Sequence, residues 1–94
     1  METALYPGTF DPVTNGHLDV LARACRLFEK VVLAIADNGP KNNLFPVEER
    51  LSLVKSNLGD KFPGATAVIF NGLVVEQARQ VGAKAIIRGL RAIS

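Results

Sequence analysis

The stretch that most limits the possible fold is Val31-Val32-Leu33-Ala34-Ile35-Ala36, an apolar run without a break. A surface helix mixes polar residues into every turn, and a strand with one wet face alternates. An unbroken apolar run this short, closed by Asp37-Asn38-Gly39-Pro40, reads as a strand covered on both faces. Such a strand belongs inside a parallel sheet with helices packed above and below.

The remaining sequence offers partners of the right kind. Thr3–Tyr6 reads as a first strand, broken by Pro7-Gly8 and followed by a polar turn. From His17 to Phe28 the positions Leu18, Leu21, Cys25 and Phe28 repeat at helical spacing. After the apolar run, Lys41 to Phe45 reads as a loop. Pro46 suits a first helical turn, and Glu48 and Glu49 favour a helix start facing solvent. Val47, Leu51, Val54 and Leu58 mark that second helix, and Asn57 to Gly64 is turn-rich. Ala67–Phe70 reads as the third strand, closed by Asn71-Gly72. Val74, Ala78 and Val81 mark a short third helix that Gly82 stops, and Lys84–Ile87 is the fourth strand. Arg88 to Ser94 reads as a turn leading toward a further helix. Strands alternating with helices imply right-handed crossovers and a parallel α/β sheet.

Composition narrows the function classes. Ninety-four residues allow one domain with a modest core. No apolar run approaches the roughly 20 residues of a membrane span, and no basic-then-apolar leader opens the chain, so a cytoplasmic, membrane-free protein is expected. A single cysteine, Cys25, excludes an internal disulfide and falls on an apolar stripe, where it reads as core. The net charge of +2 comes from scattered basic residues, with no aromatic-interleaved stripe of the kind that binds nucleic acid.

In a parallel sheet the loops after the strands emerge at one edge, where ligands bind. The distinctive polar residues fall in those loops: Thr9 and His17 after the first strand, Lys41 after the second, Asn71–Val74 after the third, Arg88 and Arg91 after the fourth. The first of these junctions runs strand, Gly-containing loop, helix N-terminus. Backbone N–H groups and the positive helix end suit an anion there. Asp11 reads as a residue that holds its own loop through neighbouring N–H groups. Arg88, directly after an apolar strand, is a costly place for a guanidinium without an anionic partner.

Neither a phosphate-binding G-x-x-x-x-G-K-[ST] nor a G-x-G-x-x-G is present. Gly8-Thr9-Phe10-Asp11-Pro12 followed by Thr14-Asn15-Gly16-His17 resembles instead the [H/T]-x-G-H signature of nucleotidyltransferases. With Arg88-Gly89-Leu90-Arg91-Ala92 it resembles the bacterial phosphopantetheine adenylyltransferase family, over essentially the whole chain. The resemblance implies a doubly wound, Rossmann-like nucleotidyltransferase fold with strand order 3-2-1-4-5. It also implies that residues 1–94 form one domain truncated after the fourth strand. The implied reaction transfers an adenylyl group from ATP, with Mg2+ arriving on the nucleotide, to 4′-phosphopantetheine. His17 would stabilise charge on the α-phosphate, with Lys41 and Arg91 as further catalytic residues. Thr9, Phe10, His17, Gly89, Leu90 and Arg91 would contact ATP; Thr9, Lys41, Val74 and Arg88 would contact the acceptor. A homo-oligomer, hexameric in the family, is implied as well. A related transferase with another phosphorylated acceptor and a non-catalytic nucleotide-binding fragment are the alternative readings.

Overall fold

The computed structural model describes residues 2–37 and 43–88. Along them run β1 (Thr3–Gly8), α1 (Asn15–Leu27), β2 (Lys30–Ala36), α2 (Val47–Leu58), β3 (Ala65–Phe70), α3 (Val74–Val81) and β4 (Ala85–Ile86). The strands form one sheet in the order β3-β2-β1-β4, and every pairing is parallel. The expected order of the first four strands is therefore met.

The apolar run is covered on both faces. Val31, Leu33 and Ile35 join Tyr6, Leu21, Val54 and Leu58 in a core beneath α1 and α2. Ala34 points the other way and packs with Leu5, Phe70 and Ala78 beneath α3. Successive strand residues feeding opposite cores is what a doubly wound sheet requires. Cys25 packs against the first core, and burial pushes its thiol upward, so it is a core residue and a poor nucleophile. Gly82 ends α3 in the left-handed conformation, at φ 71°.

Several boundaries differ from expectation, that of β3 by starting at Ala65. Pro7 and Gly8 do not end β1; they stay in register with Ala34 and Ile35 of β2. The reason lies in which side each residue faces. The carbonyls of Thr3 and Leu5 accept from Lys84 and Ile87, so the odd positions of β1 face β4. Pro7 is odd, and pairing with β4 covers only Ala4 and Leu5. The N–H that proline lacks would have pointed where no ladder runs. Strand β4 is correspondingly short, Ala85–Ile86 in place of the expected Lys84–Ile87. Helix α1 begins two residues before His17, because Thr14 caps it.

Candidate functional site

The parallel pairings bring the C-terminal ends of the strands to one edge. There the loop after β1 turns back sharply. Phe10 adopts a left-handed backbone at φ 49°, uncommon for a residue with a side chain. The turn tucks its ring beneath the loop, where it is 1% exposed. The ring meets Tyr6 edge-on, with centroids 5.4 Å apart, and lies 4.8 Å from the His17 ring. Gly8 makes room for it: a Cβ there would stand 3.1 Å from the Phe10 ring.

His17 occupies the third position of α1 and closes a capping box with Thr14. The Thr14 N–H donates to His17 Nδ1 at 2.9 Å, and the His17 N–H donates to Thr14 Oγ1 at 3.4 Å. Glu or Gln usually fills this third position. The substitution has a chemical consequence. A backbone N–H can only donate, so Nδ1 must accept, and the ring proton of the neutral imidazole resides on Nε2. Burial against Phe10 and Tyr6 lowers the His17 pKa, in the same direction. The result is a neutral imidazole, packed at a tilt against Phe10 on one side, with Nε2–H as a donor at the start of a helix. Gly16 lies next to it. A Cβ at Gly16 would meet only Thr14 Oγ1, at an ordinary 3.6 Å, so the chain itself imposes no need for glycine there.

The edge is braced by two residues, one whose role differs from the sequence reading and one that the sequence reading did not single out. Asp11 does not hold its own loop. Its carboxylate accepts from the Leu44 N–H at 2.6 Å and the Phe45 N–H at 2.9 Å, tying the β1 loop to the segment entering α2. Arg50 carried no expectation, yet it is 2% exposed. Its Nε donates to the Phe45 carbonyl at 3.0 Å. Its Nη1 donates to the carbonyls of Thr9 at 2.9 Å and Ala36 at 3.2 Å. A signal for its burial does exist: Val47, Arg50, Leu51 and Val54 share one helical face.

The remaining expected site residues divide. Thr9 is exposed and sits on the edge. Phe10 is buried, so only its backbone can face a ligand. Val74 opens α3, half-buried against the second core. Arg88 follows β4 at the same edge but is exposed, so the premise of a buried, costly guanidinium does not hold. Lys41, Gly89, Leu90 and Arg91 lie outside the described residues. Glu48 and Glu49 are exposed in the first turn of α2, without a side-chain capping bond. Among the described residues no three His, Cys, Asp or Glu side chains gather as a metal site, and no helix is long and apolar enough to cross a membrane.

Comparison with known proteins gives the family and the fold. Residues 5–94 match the cytidylyltransferase-like family. The chain is 50% identical over 94 residues to a phosphopantetheine adenylyltransferase of Geotalea daltonii. It is 51% identical over 94 residues to one of Moorella thermoacetica. In both cases all of this chain aligns with 58% of the relative's length. The fold matches the crystal structure of a lipopolysaccharide core biosynthesis protein from Thermoplasma volcanium. The TM-score is 0.70 at 20% identity, over 92% of this chain and 72% of that one. At that identity the likeness speaks for the fold alone.

Proposed function

Because the chain belongs to the cytidylyltransferase-like family, we propose that it carries the histidine-bearing part of a phosphopantetheine adenylyltransferase site. The reaction joins ATP and 4′-phosphopantetheine to give dephospho-coenzyme A and pyrophosphate. An oxygen of the acceptor phosphate attacks the α-phosphorus of ATP, and the bond from that phosphorus to the bridging oxygen of pyrophosphate breaks. The second pKa of a phosphate monoester is about 6, so the nucleophile is already mostly dianionic at neutral pH and needs no strong base. The step calls for alignment of two anions and for donors where negative charge grows.

The observation that carries this reading is the His17 ring, held by Thr14 as a neutral imidazole whose Nε2 proton is left out of the capping bond. Its assigned role is to donate to the α-phosphate oxygens as their charge rises. Thr9 and the α1 start would receive phosphate oxygens. Lys41 and Arg91 would complete the charge compensation, with the backbone of Phe10, Gly89 and Leu90 against the nucleotide. Arg88 and Val74 would meet the acceptor. The carboxylate of Asp11 is committed to two amides, so the donor set suits Mg2+ that arrives bound to ATP. The acceptor assignment rests on the relatives at 50–51% identity and on the R-G-L-R-A segment. A cytoplasmic homo-oligomer is part of the same reading.

The test is an assay of the protein with ATP, Mg2+ and a panel of acceptors: 4′-phosphopantetheine, nicotinamide mononucleotide and glycerol phosphate. Pyrophosphate release and product mass are read together. Dephospho-coenzyme A as the main product is expected. Turnover with only another acceptor would keep nucleotidyl transfer and reject the substrate. No pyrophosphate with any acceptor would reject both.

A further inference from the structure

Arg50 is buried at the fourth position of α2, directly after two exposed glutamates. Its guanidinium reaches three separate segments: Thr9 in the loop after β1, Ala36 at the end of β2, and Phe45 before α2. All three acceptors are backbone carbonyls. Among the described residues no carboxylate lies within salt-bridge distance of it. A buried cation is costly to keep, and three carbonyls compensate it only in part. Asp11 grips the same place from the opposite direction. It accepts the N–H of Phe45 while Arg50 takes the Phe45 carbonyl, and it takes the Leu44 N–H as well. The residue next to Asp11, Phe10, forms the wall behind the His17 ring.

We propose that Arg50 and Asp11 act together as positioning residues for nucleotidyl transfer. Their shared hold on Phe45 fixes the spacing between the Thr9–His17 loop and the segment entering α2, and Arg50 adds positive charge behind the loop that receives phosphate. Neither residue reaches the reacting atoms; both act through the backbone they hold. A lysine at position 50 would keep the charge but lacks the planar fork that spans three carbonyls. An asparagine at position 11 would keep the shape but can accept from only one of the two amides while presenting an NH2 to the other. A displacement of about 1 Å far from the chemistry can cost about 100-fold in rate.

This inference rests on the proposed transfer reaction, and the experiment separates the two. Steady-state kinetics are measured for the wild-type protein, Arg50→Lys, Asp11→Asn and the double variant, each confirmed as folded by circular dichroism. Each single variant should lose roughly 10- to 100-fold in kcat with KM for ATP changed little, because alignment rather than ground-state binding is lost. The double variant should lose no more than the worse single, since either change releases the same hold. As a local control, 15N NMR of the His17 ring should still show the proton on Nε2 in both singles, because Thr14 sets it. Should Arg50→Lys not fold, Asp11→Asn carries the test on the same terms. Folded variants with wild-type kcat, or fully additive losses, would overturn the clasp while leaving the reaction standing. A wild-type protein that transfers no nucleotide would overturn the reaction and, with it, the positioning role.

Discussion

The two flanks of β1 are held in different ways. On one side β2 pairs with it from Thr3 to Gly8, and Asp11 and Arg50 then bind the loops beyond the strands to one another. On the other side β4 pairs only at Ala4 and Leu5. Beside it an open groove between α1 and the end of β4 is walled by Val20, Phe28 and Ile87, with Arg23 and Arg88 at its rim. Leu27 on that rim is 77% exposed, whereas Phe10 in the clasped loop after β1 is 1% exposed. The contrast shows what turns a polar residue at a sheet edge into a placed one. Thr9 is fixed because Arg50 reaches across and holds its carbonyl, and His17 because Thr14 caps the helix that bears it. Among the described residues no side chain braces Arg88 at the same edge in that way.

The sharpest way to break this contrast is to remove one side chain from each flank. Phe10→Ala should lower stability by about 3–5 kcal/mol, as expected for deleting a buried aromatic ring. Leu27→Ala should stay within about 0.5 kcal/mol. Urea unfolding midpoints at constant slope give both numbers. Phe10→Gly should be better than Phe10→Ala by about 1 kcal/mol, since glycine removes the left-handed backbone cost at φ 49°. Equal losses at Phe10 and Leu27 would mean that the groove flank is as firmly packed as the clasped one.

The next effect is on rate. His17→Ala should reduce kcat by about 100- to 1,000-fold while leaving the Kd for ATP nearly unchanged, because the Nε2 donor answers charge that appears only in the transition state. A variant with kcat intact would take His17 out of the mechanism. Smaller again, Arg88→Ala should weaken 4′-phosphopantetheine binding by about 1.5–3 kcal/mol, the range for a hydrogen bond to a charged group. It should do little to ATP, and calorimetry with each ligand separates the two. An equal loss for both ligands would contradict the division of roles between Arg88 and Arg91.

How far these features could be read from the sequence follows from how local their causes are. The apolar run Val31–Ala36 announced a doubly covered strand because burial on both faces leaves no polar position. The parallel sheet followed from alternation, and the strand order from the family resemblance alone. Arg50 escaped because a basic residue beside Glu48 and Glu49 reads as a solvated face; its place on the Val47–Val54 stripe was the overlooked signal. Asp11 could not be assigned its partners, since Leu44 and Phe45 are more than thirty residues away and nothing local marks them. Pro7 read as a strand breaker because the sequence does not say which side of the strand lacks a neighbour. The capping box was hidden by its unusual member, a histidine where Glu or Gln is the familiar sign.

The smallest effect tests the capping box itself. Burial lowers the His17 pKa below its ordinary value of about 6.5. In the unfolded chain the ring protonates near that ordinary value. Between it and the lowered folded value the unfolded state binds more protons, so stability falls as pH falls through this window and is fully present above it. Protonation also places a hydrogen on Nδ1, where the Thr14 N–H now donates, which opposes the charged form by the same sign. His17→Gln separates this from ordinary acid unfolding. Glutamine at the third helical position can close the box with Thr14 but does not titrate. The two proteins should therefore have similar urea midpoints at pH 8, and the wild type alone should lose ground as the pH drops below about 6.5. Because the ring is half-buried, the divergence should be small. Curves that run parallel at every pH would mean that the folded ring titrates as it does unfolded. A wild type that gains on His17→Gln in acid would mean that the fold prefers the imidazolium, and the Nε2–H assignment would have to be abandoned.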